Sequence, residues 1–255
     1  MNKEITIEPM TEDFILWRCL HSGPLSKQTM EQYPSEEGQI VNFKKIRDIN
    51  IPLLRKLIKT YGTCAIVARD GDEIIGVLRF YPKALVSMEK AGYMCLQQDH
   101  PAGPSEDLIK EQFPSLDQTE DKTLQVHCIM TSRPYVGDKE AEVLGEHYLS
   151  QQDAGARKGI GLKLAHAFIT WAKEQGWKRI EVMTFADLDI FYGVTGGAGK
   201  SFWEKAGFVV TNIKPMSKDN WPDEKAQALI DAQAKAAGIS QKDAWSLYEM
   251  TRILN

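Results

Sequence analysis

The sequence predicts a single α/β domain in which helices flank a mixed β-sheet. Three observations carry that reading. Residues 156–176 form a glycine-opened helix with one apolar stripe, and runs with strand character stand on either side of it, at 123–130 and 177–185. Residues 63–68 and 73–80 are apolar runs joined by Arg69-Asp70-Gly71-Asp72, and Asp-Gly between two such runs marks a hairpin. The chain has 255 residues, 43% of them apolar and 26% charged, enough to bury a sizeable core without disulfide or metal staples.

Composition narrows the function. A net charge of -4 gives no support for nucleic-acid binding. No apolar run approaches a membrane span, and residues 1–10 lack the basic start and apolar segment of a leader. Cys19, Cys64, Cys95 and Cys128 are scattered without paired spacing and read as free thiols in a reducing cytoplasm. Cys95, His100, His127 and Cys128 lack zinc-site spacing, so no metal is expected.

The elements follow in order. Residues 4–9 alternate as an edge strand, and Thr11 with Glu12 and Asp13 predicts a helix to about Leu20. Residues 22–40, with Gly23-Pro24 and Tyr33-Pro34, read as loop. Pro52 is expected in the first turn of a second helix, whose inner face is Leu53, Leu54, Leu57 and Ile58 and whose end is Gly62. The hairpin comes next. Residues 86–121 and 131–155 are insertions, with short helices expected at 106–113 and 140–148. In the central helix Ile160, Leu164, Phe168, Trp171 and Ala172 form the apolar stripe, and Gly176 stops it. A short helix, Gly207-Phe208 and a strand to about Ile213 lead into a helix at 223–237 ended by Gly238, and residues 244–254 close the chain as a strand.

The start of the central helix has a chemical use. The first backbone N–H groups of a helix have no internal partner, and the helix dipole adds positive charge there. Gly159 and Gly161 admit an anion close to the backbone, and Arg157 and Lys158 add formal charge beside it. Strand, glycine turn, helix, strand, helix and Gly-Phe strand, in that order, resemble the acetyl-CoA-binding core of the GNAT acetyltransferase superfamily. The residues that carry the resemblance are Arg157-Lys158-Gly159-Ile160-Gly161-Leu162 and Phe202-Trp203-Glu204-Lys205-Ala206-Gly207-Phe208, and it covers roughly residues 120–215.

The resemblance implies a mixed, splayed central sheet and one domain over 1–255: strand, helices and hairpin at 1–85, the 86–121 insertion, the acetyl-CoA core at 122–215 with 131–155 inserted, and a helix and closing strand at 216–255. It implies acetyl transfer from acetyl-CoA to a primary amine, a small molecule or a peptide, by direct attack in a ternary complex. A homodimer is compatible with it. The diphosphate falls to Arg157, Lys158, Gly159, Ile160, Gly161 and Leu162. The pantetheine arm pairs with the strand backbone at Cys128, Ile129 and Met130, where a backbone N–H polarises the acetyl carbonyl.

The chain departs from the family at three points, one of them Gly196, which stands where the family has Asn. Ala156 stands where the family often has Gln or Arg, and Trp203 stands beside the cofactor sulfur where many members have an acidic Tyr. An indole N–H does not titrate usefully. Tyr192, Ser201 and Cys128 are the other candidates for the acid, with solvent as a further source. His127 is the first candidate for the base, because its unperturbed pKa suits proton transfer near neutrality; Asp187 and Asp189, which follow the next strand, are the others. Two other functions compete: a non-catalytic acyl-CoA sensor or structural protein, and an NTPase. The NTPase reading rests on Gly196-Gly197-Ala198-Gly199-Lys200-Ser201, but Val194 occupies the position where the phosphate loop needs its first glycine.

Overall fold

The computed structural model describes residues 5–18, 20, 24–31, 43–86, 112–119, 121–131, 159–191, 198–218 and 224–255. Strands β1 (Thr6–Pro9), β2 (Ala65–Asp70), β3 (Glu73–Pro82), β4 (Thr123–Thr131), β5 (Arg179–Thr184), β6 (Val209–Pro215) and β7 (Ser246–Ile253) form one sheet, ordered β1-β2-β3-β4-β5-β7-β6. Only β4 and β5 run parallel; every other neighbouring pair is antiparallel. The expected α/β class, the hairpin and the edge position of the first strand all hold. The last strand in the chain inserts between β5 and β6, so the helical segment at 224–237 interrupts the connection and leaves the pairing intact.

The helices are α1 (Lys27–Met30), α2 (Phe43–Tyr61), α3 (Lys83–Val86), α4 (Ile160–Glu174), α5 (Lys200–Lys205), α6 (Glu224–Ala237) and α7 (Gln241–Ala244). α4 lies across β3 and β2. Its Phe168 stacks on Phe80 with ring centroids 4.3 Å apart, and Trp171 closes on the same ring at 4.9 Å. Backbone approach at Gly76 lets it lie this close. A Cβ on Gly76 would stand 3.1 Å from Leu164 and 3.2 Å from both Ile160 and Ala68.

Glycine ends both helices of the predicted core in the same way. The Trp177 N–H donates to Ala172 O and the Gly176 N–H to Lys173 O, while Phe208 donates to Trp203 O and Gly207 to Glu204 O. These bond pairs satisfy the last carbonyls of α4 and α5. The Gly-Phe pair is therefore a helix end whose next residue, Phe208, turns back into the core.

Three expectations fail. Residues 11–18 are turns and bends, not helix. Phe14, Ile15, Leu16 and Trp17 are all buried, so the run has no polar face. Its carbonyls are used elsewhere, with Leu16 O and Arg18 O accepting from Arg79 and Trp17 O from Asn50. α2 begins at Phe43, which places Pro52 inside the helix and not in its first turn. Pro52 cannot donate to Asp48 O, and Asp48 lies on the exposed side, where water can serve that carbonyl. Within 22–40, residues 24–31 hold α1, capped by Ser26, and Leu25 exchanges two backbone hydrogen bonds with Ile74. The helix expected at 140–148 lies outside the described residues, as does most of the one at 106–113; Phe113 itself is not helical.

Candidate active site

β4 and β5 form a fork. They pair through Thr123 with Arg179, Leu124 with Ile180 and Gln125 with Glu181, and there the ladder stops. Beyond it β4 runs on to Thr131 against β3 alone, and β5 runs on to Thr184 against β7 alone. The cause is local. Arg79 pairs with Cys128 and Phe80 with Val126, so β4 carries one extra residue, His127. Such a bulge bends its strand and increases the local twist. Among the described residues, no strand pairs with this edge of β4 from Val126 onward.

The start of α4 stands at the mouth of this fork. A Cβ on Gly161 would lie 3.3 Å from the Phe202 ring and 4.0 Å from Ile129 Cδ1, so the first turn abuts the free half of β4. The first intrahelical bond runs from Lys163 N–H to Gly159 O at 3.0 Å. The amides of Ile160, Gly161 and Leu162 precede it and have no acceptor within the helix. Gly159 is exposed, has φ 63° and would meet nothing within 4 Å with a Cβ added. This open helix start, next to an unpaired strand edge, suits an anionic ligand with an extended amide-bearing arm.

The opposite face of the fork carries the polar groups. Gly76, Leu78 and Phe80 face α4, so Arg79 and Tyr81 point the other way. The bulge sends His127 to that same face, where its ring lies 5.6 Å from Tyr81. Glu181 stands at the vertex, bonded to Lys83 Nζ at 2.8 Å. His127 is an exposed residue, with its ring packed beside Tyr81. Loss of water around the ring, and then the Arg79 guanidinium, lower its pKa to about 4, so His127 is neutral near neutral pH.

A mixed sheet that splays between two neighbouring parallel strands, beside a glycine-opened helix start, is the arrangement that the resemblance implies. No protein-family model matches the chain, and no curated protein matches it. Over nearly its whole length the chain is similar to solved structures of low identity. The acetyltransferase of the GNAT family from Streptococcus pneumoniae is 10% identical with a TM-score of 0.45, over 98% of this chain and 99% of that one. The ribosomal-protein-S18-alanine N-acetyltransferase from Escherichia coli is 8% identical with a TM-score of 0.43, over 99% and 95%. Ard1 from Thermoplasma volcanium is 12% identical with a TM-score of 0.41, over 98% of each chain.

The structure brings His127, Cys128, Ile129, Met130, Gly159, Ile160, Gly161 and Leu162 together around the fork. Arg157, Lys158 and Tyr192 lie outside the described residues. Two expectations change. Trp203 is 1% exposed, packed edge-on against Phe202 and Phe208 at 5.1 Å each, so it belongs to the core. Phe202, one residue earlier, is the side chain at the mouth. Ser201 donates its hydroxyl hydrogen to Asp187 Oδ1 at 2.8 Å, which commits that proton. Asp187 also accepts from the Ser201 amide, so a carboxylate already serves the start of α5. The phosphate-loop reading loses its anion site for the same reason.

Lys83, Glu181, Arg79 and Phe202 were not singled out from sequence as site residues. Arg79 alone left a signal, as a lone charge in an apolar strand. A depression of ≈ 600 Å³ lies beside Arg179, Val209 and Ile253 on the open face of β5, β7 and β6, away from the helix mouth.

The His127 environment predicts a pH effect. The folded pKa lies below the unfolded value of about 6.5, so the unfolded chain binds more protons in between. Stability contributed by the neutral ring is present above about 6.5 and is lost as pH falls toward 4. His127→Gln should therefore lose less stability than the parent between pH 7 and pH 5, read from denaturant midpoints. An identical loss in both would show that folding does not lower the pKa of the ring.

Proposed function

We propose that the chain is an acyl-CoA-dependent N-acyltransferase acting on a primary amine, with acetyl-CoA as co-substrate. The observation that carries the reading is the fork of β4 and β5 opening beside the exposed start of α4. In this reading the amides of Ile160, Gly161 and Leu162 hold the diphosphate, with Arg157 and Lys158 just before them. The free backbone edge at Cys128, Ile129 and Met130 pairs with the pantetheine amides and offers an N–H to the acetyl carbonyl, where negative charge grows as the amine attacks. α4 and α5 cover one face, so the amine, small or peptidic, approaches from the face of His127, Tyr81 and Glu181. Attack forms the C–N bond, and the C–S bond breaks as the thiolate leaves. His127 is neutral and accepts a hydrogen bond from the incoming nitrogen, whose proton passes to solvent. Tyr192 or solvent returns a proton to the thiolate. A cytoplasmic setting fits Cys64 and Cys128, neither of which is in a disulfide.

Gly159→Asp tests the cradle. Asp tolerates the left-handed conformation better than most residues and meets no neighbour among the described residues at this position. Its carboxylate would repel the diphosphate across a few ångströms. Acetyl-CoA affinity should fall about ten-fold or more, while the melting temperature changes by only a few degrees on the order expected for one strained residue. Unchanged affinity in calorimetric titration would overturn the reading.

The commitment of Ser201 to Asp187 and the burial of Trp203 favour one second reading, a protein that binds acyl-CoA without transferring the acyl group. Both readings require acetyl-CoA binding. Only the enzyme releases CoA thiol in the presence of an amine.

A further inference from the structure

Arg79 lies at the middle of β3 and is 1% exposed, a position where a guanidinium is costly unless it is bonded. Its Nη2 donates to Leu16 O at 2.7 Å and to Arg18 O at 3.0 Å. Between them Trp17 O accepts from Asn50 Nδ2 at 3.0 Å. Consecutive carbonyls of a segment without regular structure are thus gripped by buried side chains from β3 and α2. Arg18 carries the network outward, donating from Nη2 to Thr29 O of α1 at 2.9 Å. Arg79 is also the cross-strand partner of Cys128, next to the bulge at His127, on the face away from α4.

Resting on the acyltransferase reading, we propose that Arg79 is a positioning residue for the amine: it fixes residues 14–18 as a wall of the fork on the face where the amine enters. The segment makes no ladder and no helix, so its shape depends on side chains that hold its carbonyls. Arg79 holds two of the three and stands where β4 parts from β5. The start of α4, on the other side of the sheet, does not depend on it. Arg79 should therefore govern recognition of the amine and leave acetyl-CoA binding alone.

The test uses the full chain with Arg79→Met, Arg79→Lys and Asn50→Leu. Amide hydrogen exchange at residues 14–18 should quicken about ten-fold in Arg79→Met, with β2, β3 and β4 unchanged. Arg79→Lys should restore part of the protection, since one ammonium can donate to both carbonyls. Acetyl-CoA affinity should stay within about two-fold of the parent. With whichever of lysine, spermidine and an N-terminal alanine peptide the parent acetylates fastest, the KM for amine should rise about ten-fold while kcat changes little. If Arg79→Met does not fold, Asn50→Leu, which frees Trp17 O, should move the same amides and the same KM to a smaller extent. Unchanged exchange at 14–18, or faster exchange with an unchanged amine KM, overturns the role of Arg79 alone. A parent protein that does not bind acetyl-CoA, or that binds it and acetylates no amine, overturns the acyltransferase reading, and the positioning role with it.

Discussion

Trp203→Ala should cost about 3–5 kcal/mol, the usual loss for truncating a buried aromatic. In a chain of this size that lowers the melting temperature by on the order of 10 °C. The size follows from position. Trp203 is 1% exposed, and its carbonyl accepts the Phe208 N–H that closes α5. Its ring meets Phe202 and Phe208 edge-on, so truncation removes the contact that accompanies the helix end along with core area. Phe202 then loses its support at the mouth of the fork, and acetyl-CoA binding should weaken as a consequence. Trp203→Phe should recover most of both. Thermal melts and calorimetric titration separate this from a direct ligand contact. A Trp203→Ala protein of undiminished stability that no longer binds acetyl-CoA would return Trp203 to the binding surface.

Gly76→Val should cost about 2–3 kcal/mol from overpacking and weaken acetyl-CoA binding as well. Even a single Cβ at Gly76 would lie 3.1–3.2 Å from Leu164, Ile160 and Ala68. The valine methyl groups reach further, and α4 has to rise from the sheet to admit them. Ile160 is its first residue, so the lift falls on the amides that face the fork. Gly76→Ala should show the same two effects at reduced size. The contrast with Gly159→Asp is informative: that change touches binding and spares stability, whereas Gly76→Val moves both together. Denaturant unfolding with parallel titrations would show it. Full stability in Gly76→Val would mean that α4 does not bear on β3 at this point.

Much of the fold was legible because its signals are local. Asp70-Gly71 sets a hairpin, the stripe from Ile160 to Ala172 sets a helix, and Gly176 and Gly207 end helices through bonds that span only a few residues. The errors come from residues whose partners are distant in the chain. Residues 11–18 carry helix-start chemistry, yet Arg79 and Asn50 take their carbonyls from 33 or more residues away. Pro52 reads as a helix start, and the turns before it are held by the packing of Ile46 and Ile49 in the interior. Trp203 and Phe202 are adjacent, and nothing in their order says which ring faces the core.

By itself the sequence determined the class of the domain, the turn that opens α4 and the strands that flank it, since periodicity and turn chemistry act over a few residues. It placed the candidate phosphate cradle for the same reason: a helix start is a backbone feature marked by glycine. Tertiary structure alone decided where β4 leaves β5, because the bulge at His127 exists only as a register between strands. It also decided which face receives polar groups, for one extra residue in β4 turns His127 toward Tyr81 and Arg79. Register and facing are pairwise properties of distant segments, and no residue carries them alone.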